Sequence, residues 1–232
     1  MVLITKDNLN ECNLTLLNEF ETNIYNKAFP EDEREYFSDI IRRIKCINHF
    51  EPQAFVALKL NDDSVVGGVV VDWYPQSRCF EIIYIVLNPL YRRKGEGTKM
   101  LWDAVDLFKS QIDNSSSINN IFIEVEEPHN RTIGDCEMNP IDRIRFWEKC
   151  GAKQIAFNYV QPPLSEDKNA LFGLMLMALP LSKNENVILD KKVLKNFLVD
   201  FYVGLNAEKS PFLSKMCQEI DDLRFANRKL LI

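Results

Sequence analysis

Apolar side chains recur every three or four residues in the first part of the chain, which is the spacing of an amphipathic helix. One helix is predicted from about Leu14 to Phe29. Pro30 interrupts the pattern, and a second helix is predicted where Ile40, Ile41 and Ile44 recur at helical spacing. The chain therefore begins with two helices that are separated at a proline.

After Pro52 the pattern changes to short apolar runs between turn-forming residues, which is typical of β-strands. The runs AFVALKL and VVGGVVVDWY flank the polar turn NDDS and predict a hairpin, and CFEIIYIVL predicts a third strand that ends before Asn88 and Pro89. Helical spacing returns from Gly95. One face of that predicted helix carries Met100, Leu101, Ala104, Val105 and Phe108.

Further along, strands and one helix alternate. IFIEVEEP predicts a strand, IDRIRFWEKC predicts a helix that begins at Pro140 and ends before Gly151, and KQIAFNYV and ALFGLMLMAL predict two more strands. Proline at the start of a helix and glycine just after its end are the expected signals. We find no internal repeat and no low-complexity tract in this order of elements.

The last part of the chain predicts two helices with apolar stripes at a spacing of four. The stripes are Val193, Phe197, Phe201 and Leu205, and then Phe212, Met216 and Ile220. Such stripes are usually packing surfaces, because a helix of a globular protein buries one face. We therefore divide the chain into a domain of residues 1–181 and a two-helix extension of residues 182–232, which packs on the core or forms an oligomer interface such as that of a homodimer.

Composition and charge narrow the class of protein. The chain has 232 residues, and its 28 basic and 34 acidic side chains give a net charge of −6, which argues against a nucleic-acid-binding protein. Six scattered cysteines without a C-x-x-C pair, and two histidines, favour reduced cytosolic thiols over disulfides or a metal site. No export signal is visible and no apolar stretch is long enough to cross a bilayer, so we expect a cytoplasmic protein that does not bind membranes.

The segment YRRKGEGTKML has the features of an anion-binding loop. It lies between a predicted strand and a predicted helix, where glycines let the backbone approach a ligand and the N–H groups of the first helical turn bind an anion. Arg92, Arg93 and Lys94 add positive charge. The pattern fits neither the P-loop nor the dinucleotide fingerprint. It reads R-x-x-G-x-G, from Arg92 through Gly95 to Gly97.

This motif, at this junction, resembles the pyrophosphate-binding motif of the GNAT superfamily of acyl-CoA-dependent N-acyltransferases. The order of elements from about Phe20 to Leu179 and the helix ending FWEKCGA are also similar to that superfamily. The resemblance implies an α+β fold, with a mixed, mostly antiparallel twisted sheet flanked by helices. It also implies an enzyme that moves an acetyl group from acetyl-CoA to a primary amine without a metal.

The resemblance assigns residues to the acyl donor. In the family, the loop wraps the pyrophosphate of coenzyme A, and the end of the preceding strand aligns the pantetheine and the thioester. One strand-end N–H group would also stabilise the oxyanion of the reaction. Carried over by position, the strand end is Ile85, Val86 and Leu87, and the loop is Arg92, Arg93, Lys94, Gly95, Glu96, Gly97 and Thr98.

Glu81 is the candidate general base. It lies eleven residues before Arg92, which is the offset of the catalytic glutamate in the histone-acetyltransferase-like branch of the family. Attack on a thioester requires a neutral nitrogen, so a base must take a proton from the amine. Apolar neighbours are expected to raise the pKa of Glu81. The alternative is a strand-edge glutamate that faces solvent or forms a salt bridge.

Glu124 and Glu126 form a second acidic site. They alternate along one strand and therefore share a face, which in the family's fold borders the acceptor cleft. We expect this pair to attract a cationic amine, and either residue is an alternative to Glu81 as the base. A solvated acidic face is the alternative interpretation for the acidic residues that follow, Glu127, Asp135, Glu137 and Asp142.

The proton donor for the leaving thiolate is left open by the sequence. Many family members have a tyrosine four residues before the glycine of the second motif, but here that position is Trp147. Tyr84, Tyr159 or water are the remaining donors, and the other alternative is that the thiolate leaves unassisted. Cys136 and Cys150 have no histidine nearby in the sequence, so direct transfer is favoured over a covalent intermediate.

Two other functions stay open at this point. One is a non-catalytic acyl-CoA-binding module that acts through its C-terminal helices, and the other is an enzyme that uses a longer acyl donor. The acceptor, a small cationic amine or a peptide, is not narrowed further, because one fold of this kind serves many substrates.

Overall fold

A seven-stranded mixed sheet lies at the centre of the protein, as seen in a computed structural model that describes residues 1–29, 34–48, 50–92, 94–113, 118–128, 139–165, 168–223, 225–226 and 229–230. The order across the sheet is β1-β2-β3-β4-β5-β7-β6, with β4 and β5 parallel and the other neighbours antiparallel. The strands are β1 (Val2–Ile4), β2 (Gln53–Asn61), β3 (Ser64–Tyr74), β4 (Cys79–Leu87), β5 (Asn120–Glu126), β6 (Lys153–Gln154) and β7 (Leu174–Leu179); β8 (Phe225–Ala226) and β9 (Lys229–Leu230) form a separate pair.

Helices cover both faces of this sheet. The first helix continues through a π-helical turn at Glu21–Tyr25 into the short second helix. The helices are α1 (Glu11–Phe20), α2 (Asn26–Ala28), α3 (Phe37–Ile44), α4 (Glu96–Lys109), α5 (Pro140–Lys149), α6 (Lys191–Gly204) and α7 (Pro211–Asp222).

Strand alternation sends apolar side chains to both faces, and each face has its own packing. On one face, Ile121 and Ile123 of β5 pack with buried residues of α4 and α5. On the other face, Phe122 packs with α6 and α7. The β1–β4 half of that second face is covered by α1–α3, through residues such as Phe20 and Ile40. The second face is therefore shared by an N-terminal and a C-terminal group of helices.

Most of the predicted elements are confirmed. Both early helices, the hairpin, the strand before Asn88, the helix after Gly95, the strand IFIEVE, the helix from Pro140 and the two C-terminal helices are present. The C-terminal helices share a buried cluster with β5 and β7, so they pack on the sheet. The short strand β1 was not predicted, because three residues are too few to show a period.

The prediction that KQIAFNYV is one strand is wrong. Only Lys153–Gln154 pairs with β7, and after an isolated bridge between Gln161 and Leu171 the next strand begins at Leu174. The apolar residues of this segment, Ile155, Tyr159 and Val160, pack in the cluster that contains α6 and α7. The alternation in the sequence therefore reflects packing against helices rather than a sheet ladder.

Two consecutive glycines let β3 approach its neighbours closely. A Cβ atom on Gly67 would lie 2.6 Å from the main-chain oxygen of Val86 in β4, and one on Gly68 would lie 2.8 Å from Cε2 of Phe20 in α1. A larger residue at position 67 would therefore displace the end of β4. This end of β4 is where the sequence places the donor site.

We expect Gly67→Ala to lower the free energy of unfolding by about 1–3 kcal/mol, because the obstructing atom belongs to the backbone and cannot rotate away. Urea unfolding monitored by circular dichroism measures the change. Gly97→Ala is the control, because its Cβ would make an ordinary 3.5 Å contact with Phe146. Equal unfolding midpoints for the Gly67→Ala variant and the parent would contradict the close approach of β3 and β4.

Candidate active site

The central strands β4 and β5 separate partway along their length. They pair from Cys79–Asn120 to Ile82–Ile123, but β4 continues to Leu87 and β5 to Glu126. The register of β3 against β4 shifts so that Ile83 has no partner in β3, which is a β-bulge, and a bulge bends the strand that carries it. No ladder pair joins residues 83–87 to β5, so a slot opens between the two strands, lined by backbone groups that have no ladder partner across it.

The loop after β4 ends in a helix N-terminus that can bind an anion. Gly95 caps α4 with a left-handed φ of 76°, a conformation that favours glycine. Lys99 N–H donates to Gly95 O at 3.0 Å, which starts the helical bonding. The N–H groups of Glu96, Gly97 and Thr98 lie before that first bond and therefore point out of the helix end. This end suits a phosphate group.

Other groups fix the loop and set its charge. Arg92 Nε donates to the Leu87 carbonyl oxygen at 2.8 Å, which ties the loop to the end of β4. Glu96 forms an ion pair and hydrogen bond with Lys59 of β2, and this lysine lowers the pKa of Glu96. Lys94 is exposed, and the predicted ligand Arg93 lies outside the described residues. Thr98 Oγ1 lies 3.9 Å from the Cys150 thiol.

Three carboxyl groups, of which two are buried and one is half-buried, lie on the sheet face between the N-terminal and C-terminal helices. Asp72 of β3 lies directly opposite Glu81 of β4, and both residues are at most 4% exposed. Glu81 lies opposite Phe122 of β5, so Glu124 follows two residues further on the same face. These acidic groups converge where β4 and β5 begin to diverge.

Glu81 is in an environment that favours its protonated form. Its Oε2 accepts a 2.8 Å hydrogen bond from the hydroxyl of Tyr74. Burial raises the pKa of Glu81 well above its usual range, and the nearby charges of Glu124 and Asp72 raise it further. The hydrogen bond from Tyr74 opposes this rise. The predicted base is thus a buried carboxyl group with a strongly perturbed pKa, as general bases often are.

Asp72 has a fixed cationic partner. Arg43 Nε of α3 lies 2.8 Å from Asp72 Oδ2, and the same guanidinium group binds both oxygens of Glu35 at 2.6 and 2.8 Å. Burial raises the pKa of Asp72 to about 6 against the opposing effect of Arg43. This buried network joins α3 and the segment before it to the strand beside Glu81.

Glu124 has a pKa near neutrality. Tyr159 Oη donates to its Oε1 and Gln161 Nε2 donates to its Oε2. Burial raises the pKa of Glu124 to about 7, and the two donated hydrogen bonds limit the rise. Its carboxylate form is therefore accessible near neutral pH. The sequence alone identified Glu124 but not its two partners, since they lie 35 and 37 residues away.

Glu126 differs from the expectation of an open acidic pair. It is 4% exposed, and Arg143 Nη1 of α5 lies 3.6 Å from its Oε2. Burial raises its pKa and Arg143 opposes the rise. The structure therefore already provides Glu126 with a cation, whereas Glu124 faces Glu81 and Tyr159.

A cleft of about 410 Å³ opens beside Tyr159. Three parts of the chain form most of its walls: residues 158–160, the residues just before β7, and α7. The lining side chains include Glu127, Phe172, Phe212, Lys215 and Met216. Phe172 and Phe212 contact each other edge to face, with ring centroids 5.4 Å apart. The cleft thus combines aromatic surface with a carboxylate and an ammonium group.

The sequence of this chain matches the model of one protein family. The model of the acetyltransferase (GNAT) family matches residues 17–152, which is more than half of the chain. The chain belongs to the GNAT acetyltransferase family. It is therefore an acyltransferase, and GNAT enzymes use acetyl-CoA as the acyl donor. Among curated protein sequences, none matches the chain.

Solved structures share the GNAT fold with this chain. A protein of Bacteroides thetaiotaomicron described as a GNAT-family acetyltransferase is 18% identical, with a TM-score of 0.57 over 88% of this chain and 99% of its own. Tetrahymena GCN5 is 15% identical, with a TM-score of 0.51 over 80% and 98%. A protein of Desulfovibrio desulfuricans with the same family description is 13% identical, with a TM-score of 0.50 over 78% and 99%. At these identities the likeness shows the fold alone.

The GNAT second motif contributes no tyrosine here. Trp147 is 3% exposed and packs in the cluster between α5 and the sheet, with its ring 4.9 Å from that of Phe146. Of the tyrosine candidates, Tyr84 accepts the Glu35 N–H at 3.0 Å within the N-terminal cluster. Tyr159 instead has its hydroxyl on Glu124, at the acidic face.

The remaining predictions concern cysteines, metals and membranes. Cys150 is buried, and burial raises the pKa of its thiol. Cys136, Asp135 and Glu137 lie outside the described residues. Within the described ranges, no group of three or more metal-ligating side chains occurs. The helices of the described chain are also too short or too polar to cross a membrane.

The raised pKa of Glu124 predicts a pH-dependent stability. Between pH 4.5 and about 7 the folded chain keeps a proton on Glu124 that the unfolded chain releases. The stabilisation that this retained proton provides is complete below the ordinary glutamate pKa of 4.5, and it is lost as the pH rises through the folded-state pKa of about 7. We therefore expect the free energy of unfolding of the parent to fall, relative to that of Glu124→Gln, by on the order of 2 kcal/mol between about pH 4.5 and 7.5.

Urea unfolding of both proteins at several pH values measures this difference, and the comparison between pH values cancels any constant cost of the glutamine. Asp106→Asn, an exposed substitution on α4, is the control and should follow the parent. Parallel curves for the parent and Glu124→Gln would show that Glu124 ionises normally.

Proposed function

We propose that this protein transfers an acetyl group from acetyl-CoA to the primary amine of a small cationic molecule or a peptide, by direct transfer, with the carboxyl groups of Glu81 and Glu124 acting together as general base. The observation that carries the proposal is the position of these two carboxyl groups, Glu81 buried and Glu124 half-buried, on neighbouring strands where β4 and β5 diverge. A carboxyl pair that is largely withdrawn from water costs stability, and such costs persist where they serve chemistry.

The chain has the groups needed to hold the donor. The helix N-terminus at Glu96, Gly97 and Thr98 would bind the pyrophosphate, and Arg92, Arg93 and Lys94 belong to the same loop. The open edge of β4 at Ile85, Val86 and Leu87 would bind the extended pantetheine arm through main-chain groups. Acetyl-CoA supplies an activated thioester carbonyl, and a strand-end N–H group would stabilise the negative charge that develops on its oxygen.

The carboxyl pair would act as a shared proton site. Two neighbouring carboxyl groups shielded from water do not readily ionise together, so near neutral pH one is a carboxylate while the other keeps its proton. We assign Glu81 as the residue that receives the amine proton when it is the carboxylate of the pair, with Glu124 holding the shared proton in that state. The amine nitrogen bonds to the acetyl carbon as the carbon–sulfur bond breaks, and coenzyme A leaves as a thiol after it takes a proton.

The same face favours a cationic acceptor. Asp72, Glu81 and Glu124 attract a protonated amine electrostatically, and Glu127 lies at the exposed end of the cleft beside Tyr159. Tyr159 is the better-placed tyrosine for returning a proton to the thiolate, because the hydroxyl of Tyr84 is held in the N-terminal cluster. An interaction module that only bound acyl-CoA would have no use for these carboxyl groups.

Donor binding is tested by isothermal titration calorimetry with acetyl-CoA. We expect the double variant Gly95→Asp, Gly97→Asp to bind at least about tenfold more weakly than the parent, a loss of about 1.4 kcal/mol or more, because two carboxylates would oppose the pyrophosphate. Gln111→Asp adds the same acid beyond the other end of α4 and is the control. A parent chain that does not bind acetyl-CoA would contradict the proposed function.

The base is tested by free-thiol release with acetyl-CoA and a panel of cationic amines and peptides. We expect Glu81→Gln to lower kcat by about 10²–10⁴-fold, the usual contribution of a general base, with little change in acetyl-CoA binding. Glu124→Gln should lower kcat as well, because it removes the partner carboxyl group. Asp106→Asn, exposed on α4, is the control.

The two variants also separate the alternatives. If only Glu124→Gln lost activity, Glu124 rather than Glu81 would be the base. If both variants kept the kcat of the parent, neither glutamate would be the base, and the carboxyl pair would not carry the reaction.

A further inference from the structure

The 158–161 segment, residues Asn158 to Gln161, lies beside the sheet without belonging to a strand. Its only ladder contact in the described chain is the bridge between Gln161 and Leu171, with N–O distances of 3.1 and 2.9 Å. A backbone that leaves the sheet needs other partners for its polar groups, because buried N–H and C=O groups are rarely left unpaired.

Side chains of α6 and α7 supply those partners. The hydroxyl of Tyr202 in α6 donates to the Val160 carbonyl oxygen at 2.7 Å. From α7, the carboxylate of Glu219 accepts from both the main-chain N–H and the side-chain amide of Asn158, each at 2.9 Å. The Met216 sulfur accepts from Val160 N–H at 3.4 Å. The C-terminal helices therefore hold the 158–161 segment through its backbone.

The segment in turn carries two side chains to Glu124. Tyr159 and Gln161 are alternate residues, and each donates to a different oxygen of that carboxyl group. Hydrogen bonds thus connect α6 and α7 to the segment, and the segment to Glu124. The family match ends at residue 152, so every residue of this set except Glu124 lies beyond it.

The helices that hold the segment are themselves fixed to the sheet. Asp200 of α6 accepts a 2.6 Å hydrogen bond from Ser77 N–H in the turn between β3 and β4. Phe197 of α6 stacks on Phe122 of β5, with ring centroids 4.2 Å apart. Phe122 lies opposite Glu81 in the parallel ladder. The frame is thus anchored on the same strands that carry the two glutamates.

We propose that α6 and α7 are a positioning frame for the active site: Tyr202 and Glu219, together with Met216, hold the 158–161 segment so that Tyr159 and Gln161 orient the Glu124 carboxyl group. Tyr202, Met216 and Glu219 are positioning residues that act on Glu124 through the segment. This inference rests on the proposed function for its role in acyl transfer, but the coupling itself concerns only the hydrogen bonds of Glu124.

The environment of Glu124 sets the direction of the effect. The ionisable groups that face it in the described chain are Glu81 from β4, Tyr159 from the segment and Tyr202 from α6. Hydrogen bonds donated to a carboxylate stabilise its charged form and lower its pKa. A segment that is less firmly held would donate these bonds less well, so the pKa of Glu124 would rise above that of the parent.

The direct test is a carbon-13 NMR titration of the full chain labelled at the glutamate carboxyl groups. The Glu124 signal is assigned by its loss in Glu124→Gln. In Tyr202→Phe we expect the pKa of Glu124 to rise by about one, the size expected for weakening a hydrogen bond to a charged group. Glu219→Ala, at a half-buried surface position, should give a smaller rise with little risk to folding.

The control variant is Lys195→Gln. It breaks the 2.6 Å ion pair between Lys195 of α6 and Asp221 of α7, which joins the same two helices but does not touch the 158–161 segment. We expect no change in the titration of Glu124. A rise equal to that in Tyr202→Phe would mean that general loosening of the helices is responsible, and it would overturn the specific role of Tyr202.

Activity gives a second, separate readout. Tyr202→Phe should move the acidic limb of the kcat–pH profile to higher pH, by as much as the pKa of Glu124 rises in the NMR titration. The KM for acetyl-CoA should stay unchanged. Because Tyr202 acts through Tyr159 and Gln161, the double variant Tyr159→Phe, Tyr202→Phe should shift the profile by less than the sum of the two single variants, whereas independent roles would give additive changes. Additive changes would overturn the inference.

The two readouts keep the inference distinct from the proposed function. An unchanged Glu124 titration in both Tyr202→Phe and Glu219→Ala overturns the inference even if turnover is normal. A parent chain without turnover on any amine overturns the proposed function. A shifted Glu124 titration in such a chain would still support the coupling between the C-terminal helices and Glu124.

Discussion

The divergence of β4 and β5 is the constraint on which the rest of this structure depends. A central pair of strands that stops pairing after Ile82 and Ile123 leaves backbone N–H and C=O groups inside the sheet without ladder partners. Such groups are costly unless water or a ligand pairs with them. The bulge at Ile83 and the close approach of Gly67 to Val86 hold β4 in this bent path. The slot is therefore built into the strands, and the helix N-terminus at Gly95 follows it directly.

The same divergence explains why acidic side chains remain on an otherwise apolar sheet face. Asp72, Glu81 and Glu124 are held there by specific partners: Arg43, Tyr74, and Tyr159 with Gln161. A core designed for stability alone would replace such groups with apolar residues, since desolvation of a carboxylate often exceeds the gain from its partner. Their positions beside the slot agree with a proton-transfer role in a GNAT acyltransferase, because perturbed carboxyl groups concentrate at sites of chemistry.

The features that could be predicted from the sequence are those set by residues close together along the chain. The loop before α4 could be recognised because its glycines and basic residues lie together, and the hairpin because two apolar runs flank a polar turn. The ion pairs Arg43–Asp72 and Arg143–Glu126 could not be predicted, because their members are 29 and 17 residues apart and no short-range pattern joins them. The strand predicted over KQIAFNYV is wrong for a related reason: alternation indicates burial of every second residue, but it does not say whether a strand or a helix provides the covering surface.

The absence of a tyrosine in the second motif and the presence of the C-terminal helices have a common structural explanation. In this chain α5 gives Trp147 to the core on one face of the sheet, so it supplies no hydroxyl group to the opposite face. A hydroxyl group reaches the acidic face instead from Tyr159, in a segment with too few ladder bonds to fix its own position. Such a segment needs an external support, and the helices beyond the family match are packed where that support is required. The family part of the chain thus carries the loop on which we place the donor, and the C-terminal helices support the side on which we place the acceptor.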